Sequence, residues 1–138
     1  MISGAHMFVE RKIIIIKMRK PVSGDLNSEL QWFGSSLGLF GERDKDKSCY
    51  RLFVELLKFS DKGVSSDELA YRLGLSRSAV VHHLNNMMNS GIIVSEKNRY
   101  MLRMARLEEL VDELKSDMER MMDELKKTAI DIDSNIKK

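Results

Sequence analysis

The chain has 138 residues, 43% apolar and 32% charged, enough to bury the core of one ordinary domain and too polar for a membrane protein. Its longest apolar run, Ile13 to Ile16, is far short of the ~20 residues a membrane-spanning helix needs. A single cysteine, Cys49, excludes a disulfide framework and a cysteine-based metal cluster within one chain.

No apolar stretch with a cleavage site opens the chain, so a secretory signal is not expected and the cytoplasm is the expected compartment. The net charge of +2 conceals an asymmetry. Residues 1–60 carry 10 basic and 7 acidic side chains, residues 61–104 carry 6 and 4, and residues 105–138 carry 7 and 10. A basic first hundred residues suits a nucleic-acid surface, and an acidic tail suits an element that does not bind one.

Residues 1–6 read as a cloning remnant, with Met7 as the natural start. Residues 8–18 predict a strand, because the Ile13 to Ile16 run is β-branched and short. Pro21 and Gly24 then break the chain. Leu26, Leu30, Phe33 and Leu37 share one helical face and predict a helix over 25–37. After a polar loop, a second helix is predicted over 47–60, with Leu52, Phe53, Leu56 and Leu57 in its apolar set.

The most informative segment begins at Ser65. Ser65 and Glu68 make an S-x-x-E capping box, and Gly74 ends that helix. Ser76 can cap the next helix, over 77–89. Two helices joined by a Gly-centred turn form a helix-turn-helix. At 100° per residue, Val80, Leu84, Met87 and Met88 share one face of the second helix, with His83 at its edge. Ser78, His82, Asn85 and Asn89 share the opposite face, with Val81 beside them and Arg77 in the first turn. A merely solvated face is usually Glu and Lys. Hydroxyl, amide and imidazole groups with one aliphatic suit base edges in a major groove. Ile92–Ser95 and Arg99–Met104 then read as strands around the turn Glu96-Lys97-Asn98, a wing that brings Lys97 and Arg99 toward phosphate or the minor groove.

The stretch SSDELAYRLGLSRSAVVHHLNNMMNSGII and the hairpin after it resemble the winged helix-turn-helix of the ArsR-like bacterial and archaeal transcription regulators. The resemblance runs over residues 48–104, about 40% of the chain. The string that marks the recognition helix is carried here by Leu75, Ser76, Ser78, Val80, His82, His83 and Leu84. It implies DNA contact at Ser76, Arg77, Ser78, Val81, His82 and Asn85. The metal-sensing branch places paired cysteines on the first motif helix or Asp/His sets on the last helix. This chain has no cysteine on the former and no His or Cys in residues 105–138, so metal sensing is not expected.

From residue 107 onward, Leu107, Val111, Leu114, Met118, Met121, Leu125, Thr128 and Ile132 recur at alternating spacings of four and three. This is a coiled-coil seam, and a second copy of the chain is its expected partner, with some packing on the 25–37 helix as the alternative. The expected fold is therefore mainly α with a small β-hairpin wing, a winged helix-turn-helix followed by a long C-terminal coiled-coil helix. Residues 7–46 form an N-terminal strand and helix, 47–104 the DNA-binding domain, and 105–138 the dimerisation helix.

The expected function is that of a homodimeric, sequence-specific regulator of transcription on double-stranded DNA. Two other uses of the fold are an architectural DNA-binding protein of the archaeal type and a winged helix used only for protein contact. The chain has no phosphate-binding glycine loop, nucleophile elbow or H-E-x-x-H, so neither an enzyme nor a cofactor is expected. His82 and His83 are adjacent on a helix, about 100° apart, and do not form a chelating pair.

Overall fold

A computed structural model describes residues 12–22, 24–41, 44, 46–59 and 61–137. The proposed remnant at 1–6 and the first residues of the predicted strand, 8–11, lie outside the described residues. The elements are α1 (Leu26–Ser36), α2 (Ser48–Lys58), α3 (Ser66–Leu73), α4 (Arg77–Asn89), β1 (Ile93–Glu96), β2 (Arg99–Leu102) and α5 (Leu107–Ile136). Together they make a winged helix-turn-helix with a long C-terminal helix. Among the described residues, no helix is long and apolar enough to cross a membrane.

The first four helices start where a short polar side chain can take their first amide groups, whereas α5 opens after Arg106 with no side-chain cap. Asp25 accepts from Ser28 N at 2.8 Å to open α1. Ser65 Oγ accepts from Glu68 N at 3.1 Å to open α3, and Ser76 Oγ from Ala79 N at 3.1 Å to open α4. Lys47, the residue before α2, makes no side-chain cap. The preceding loop substitutes: Asp44 accepts from Cys49 N and Tyr50 N, and Asp46 accepts from Ser48 N. Between α3 and α4, Gly74 stands at φ +65 and closes α3 through Ala70 O.

The core lies where α2, α3 and α4 meet the wing. Leu52, Phe53 and Leu56 from α2, Leu69 from α3 and Val80 and Leu84 from α4 are fully buried. Ile92 and Ile93 add the base of the wing, and Leu110 adds the first turns of α5. Helix α1 packs on the edge of this cluster through Leu30 and Phe33, with Phe33 stacked on Phe53 at 6.4 Å, and Phe40 from the loop after α1 stands edge-on to Phe53 at 5.9 Å.

The wing pairs Ile93 with Leu102 and Glu96 with Arg99. Its turn is therefore two residues, Lys97 and Asn98, at φ +52 and +64, not the three residues Glu96 to Asn98 that the sequence suggests. Positive φ at both central residues is what a type I′ hairpin turn demands, and Asn tolerates it well. Val64 adds a short third rung, exchanging two backbone hydrogen bonds of 2.9 and 2.8 Å with Tyr100.

Among the described residues, the predicted N-terminal strand does not form. Residues 12–20 join no sheet and form an irregular strap. Lys12 N donates to Asn89 O at 2.9 Å and Ile16 N to Ser36 O at 2.8 Å. Asn89 and Ser36 are the last residues of α4 and α1. The strap's amides satisfy carbonyls that helix ends leave without partners, and that use replaces a ladder.

Helix α5 has 30 residues, roughly 45 Å at the α-helical rise. Its first turns dock through Leu110, Leu114 and Asp117, and every described residue beyond Asp117 is exposed.

Two glycines test this account of the turns. A Cβ at Gly74 would meet nothing within 4 Å, so Gly74→Ala costs only the left-handed backbone, about 1 kcal/mol. At Gly63, φ +73, a Cβ would also lie 2.9 Å from Met101 Cε and 3.1 Å from Tyr100 O. Urea denaturation is expected to rank Gly63→Ala as clearly the more destabilising of the two.

Candidate nucleic-acid interface

Helix α4 is buried along one stripe and open along the other. Val80, Leu84 and Met87 are at most 1% exposed. Ser78, His82, Asn85 and Asn89 are exposed on the opposite side, and Val81 is half-buried at its border. Arg77 is exposed in the first turn, with Ser76 just before it. The structure thus brings Ser76, Arg77, Ser78, Val81, His82 and Asn85 onto one continuous surface.

The groups on that surface are lightly held. Arg77 Nε lies 3.4 Å from Asp67 Oδ1, with both side chains more than 70% exposed. A pair so exposed is worth little and gives way easily to a stronger anion such as phosphate. Ser76 Oγ is committed to capping α4 and lies 3.3 Å from Ser78 Oγ. His82 Nε2 lies 3.5 Å from the side-chain amide of Asn86, a long contact that leaves the ring accessible.

His83 faces the other way. Its Nε2 is hydrogen-bonded to Ser48 Oγ at 3.0 Å, and Ser48 Oγ also donates to Asp44 at 3.4 Å. Burial holds its pKa below the ordinary value of 6.5, while the Asp44 carboxylate pulls in the opposite direction. His83 is therefore a structural tie between α4 and the N-terminus of α2. Cys49, next to Ser48, donates its thiol to Leu39 O at 3.1 Å, and burial pushes its pKa up to about 12.

On the wing, Lys97 is exposed at the turn, whereas Arg99 is tied down. Arg99 Nε donates to Lys62 O and Nη2 to Gly63 O, each at 3.1 Å. The guanidinium braces the wing against the loop before α3 and keeps its remaining N–H groups for other acceptors.

Two features escape the sequence reading, one on the surface and one beneath it. Tyr71 on α3 is 87% exposed, and the angle separating it from Leu69 and Leu73 already points it outward. Apolar periodicity marks the buried side of α3 and is silent on an exposed ring between its leucines. Arg103 was counted within the wing, but its guanidinium reaches α5.

The seam residues of α5 divide. Leu114 is buried in its own domain, and Leu107 is partly buried against the same core. Val111, Met118, Met121, Leu125 and Ile132 are between 37% and 57% exposed. An open groove of ≈ 550 Å³ runs beside Val111 and Met118, lined also by Ile15, Leu37, Leu114 and Met122. Leu37, at the end of the 25–37 helix, lines the same groove.

Residues 56–95 match the family described as Bacterial regulatory protein, arsR family. The match runs from the end of α2 through α3 and α4 into β1, so the helix-turn-helix is the part of the chain that is similar to that family. No curated protein and no solved structure matches the chain.

The His83 tie predicts a pH dependence of stability. Because its folded pKa lies below 6.5, the native state binds fewer protons than the unfolded chain. The stability gained from keeping it neutral is complete above that value and is lost as pH falls through it. Urea midpoints are expected to drop between about pH 7.5 and pH 5, and His83→Gln is expected to flatten that slope by up to about one proton. An unchanged slope would remove His83 from the account.

Proposed function

We propose that this chain is a homodimeric regulator of transcription that recognises double-stranded DNA by sequence. The observation that carries the reading is the exposed face of α4. It presents Ser78, His82 and Asn85 with no Glu or Lys among them, on a helix whose other face is sealed in the core. Base edges are read by short groups of this kind, held on a rigid helix. The arsR-family match over 56–95 supports the same reading.

In this proposal Asn85 and His82 meet base edges, and Val81 offers its methyl groups to a thymine. Ser76, Arg77 and Ser78 engage the backbone or bases at the N-terminus of α4. Lys97 and the free N–H groups of Arg99 approach phosphate or the minor groove. The small net charge of +2 favours a reader of sequence over an architectural protein, which would draw mainly on phosphate neutralisation. The protein would act in the cytoplasm, without metal or cofactor.

The partner of α5 is a second copy. A helix of roughly 45 Å cannot bury its apolar side on its own domain. Met118, Met121, Leu125 and Ile132 project beyond the last docked turn, and Val111 flanks the groove. Leu107 and Leu114 anchor the helix to its own head and so contribute to the seam from beneath. Two heads joined in this way would read half-sites about one DNA turn, ~34 Å, apart.

Selection of bound sequences from a random DNA pool is expected to enrich a palindrome. Tight binding without enrichment would favour the architectural reading, and no binding at all would favour a protein partner. Asn85→Ala is expected to cost about 1–3 kcal/mol on the selected site and far less on random DNA. Lys97→Ala is expected to weaken both kinds of DNA alike and to lower the salt slope by about one unit. Truncation after Arg120, which spares the core residues Leu110 and Leu114, is expected to give a folded monomer in sedimentation. A full-length chain that stays monomeric at tens of micromolar (order of magnitude) would overturn the dimer.

A further inference from the structure

We propose that Arg103 and Asp117 form the joint that sets the angle between the DNA-reading head and the α5 stalk, and with it the half-site spacing the dimer accepts. The proposal rests on the dimeric, DNA-reading function above.

Arg103 is the first residue after β2, and its backbone N donates to Ile92 O at 3.0 Å, continuing the wing by one rung. Its guanidinium spreads over three elements. Nη1 donates to Gly91 O at 3.5 Å, just past the end of α4, and to Asp117 Oδ2 at 2.6 Å. Nη2 donates to Asp117 Oδ1 and to Glu113 Oε1, both at 3.3 Å. One planar fork therefore joins the exit of the recognition helix, the base of the wing and two successive turns of α5. Arg120 pairs with the same Asp117 from the solvent side.

The chemistry of the pair argues for orientation over adhesion. The Arg103 and Asp117 side chains are only 16% and 5% exposed. Burying an ion pair costs desolvation, and apolar residues of similar size would hold the helix at least as tightly. Leu110 and Leu114, on the same face of α5, already do so. Apolar contacts tolerate small slides and rotations. A bidentate fork on a carboxylate holds one register and one azimuth.

Its position gives it leverage. Asp117 is the last buried residue of α5, and the described residues beyond it project freely. The connection from β2 to α5 is only four residues, Arg103 to Arg106, without regular structure. The free part of the stalk is roughly 30 Å long, so a tilt of ~10° at its base moves its tip by roughly 5 Å. In a dimer joined by the stalks, that tilt becomes a displacement of one reading head relative to the other by more than the ~3.4 Å of a base-pair step.

The test uses the full chain and a panel of palindromes that differ only in the number of base pairs between half-sites. Asp117→Asn keeps the shape and removes the charge, and Arg103→Lys keeps the charge and removes the fork. For the parent, the wrong spacing is expected to forfeit the avidity of the second head, about 100-fold in affinity. For both variants the penalty is expected to fall below about ten-fold, with binding to a single half-site unchanged. Variants that unfold cooperatively, dimerise and keep the parent's spacing penalty would overturn the joint and leave the DNA-reading proposal standing. Loss of cooperative unfolding in both variants would assign the pair to stability alone and overturn it too. A parent that selects no palindrome would bring down the underlying reading, and the joint with it.

Discussion

Burial of one stripe of α4 is the constraint on which the rest of the structure depends. Val80, Leu84 and Met87 are locked against α2, α3 and the wing base. A helix locked on one side can turn only a fixed set of residues outward. The rotation of α4 about its axis, and hence the placement of Ser78, His82 and Asn85, follows from apolar contacts that touch no ligand. His83 refines that rotation. Its hydrogen bond to Ser48 ties the border of the stripe to the start of α2, where Asp44 already collects the first amides of the helix. The exposed face of α4 is held firm because its underside is dense and its edge is hydrogen-bonded, and the proposed discrimination between bases by short side chains requires such firmness.

Helix ends are used here as attachment points. The last residues of α4 and α1 accept from the strap, Leu73 at the end of α3 accepts from Arg51, and Gly91 beyond α4 accepts from Arg103. Carbonyls without partners inside their helices are thus converted into joints between elements. The basic strap from Lys12 to Lys20 is held this way and not by sheet pairing, so Ile14, Ile15 and Ile16 are left about half-exposed and Ile15 lines the α5 groove.

The legible parts of the sequence were those with local causes. Ser65, Gly74 and Ser76 mark the ends of α3 and α4 to the residue, because a cap is an interaction across three or four positions. The two faces of α4 followed from the helical angle alone. The strap was misread because a β-branched run states a preference for extended backbone and is silent on whether a strand is available to pair with. The hairpin turn was misjudged by one residue because Lys97 adopts a positive φ that its side chain does not advertise. The roles of Asp44, Ser48 and Arg103 were illegible for another reason. Each acts on a partner brought near only by the tertiary fold, as Ser48 meets His83 and Arg103 meets Asp117.

Helix α5 shows how a single periodicity can carry two tasks. A spacing of four and three places Leu107, Val111, Leu114, Met118, Met121 and Leu125 on one seam, and the pattern does not say what covers each position. The structure separates them by a small rotation. Leu107, Leu110, Leu114 and Asp117 form a stripe turned toward the helix's own head, and Val111, Met118, Met122 and Leu125 form the neighbouring stripe turned away. These stripes share a helix without sharing an environment, since the head ends at Asp117 and the seam continues to Ile132. The acidic pair partner at Asp117 stands where the two tasks meet. Before it the helix docks on the domain, and after it the helix is exposed, where the proposed second copy would cover it. A charge buried at that boundary, in a run of leucines and methionines, defines where one role stops, because an apolar side chain there would let the two stripes merge and the helix roll between them.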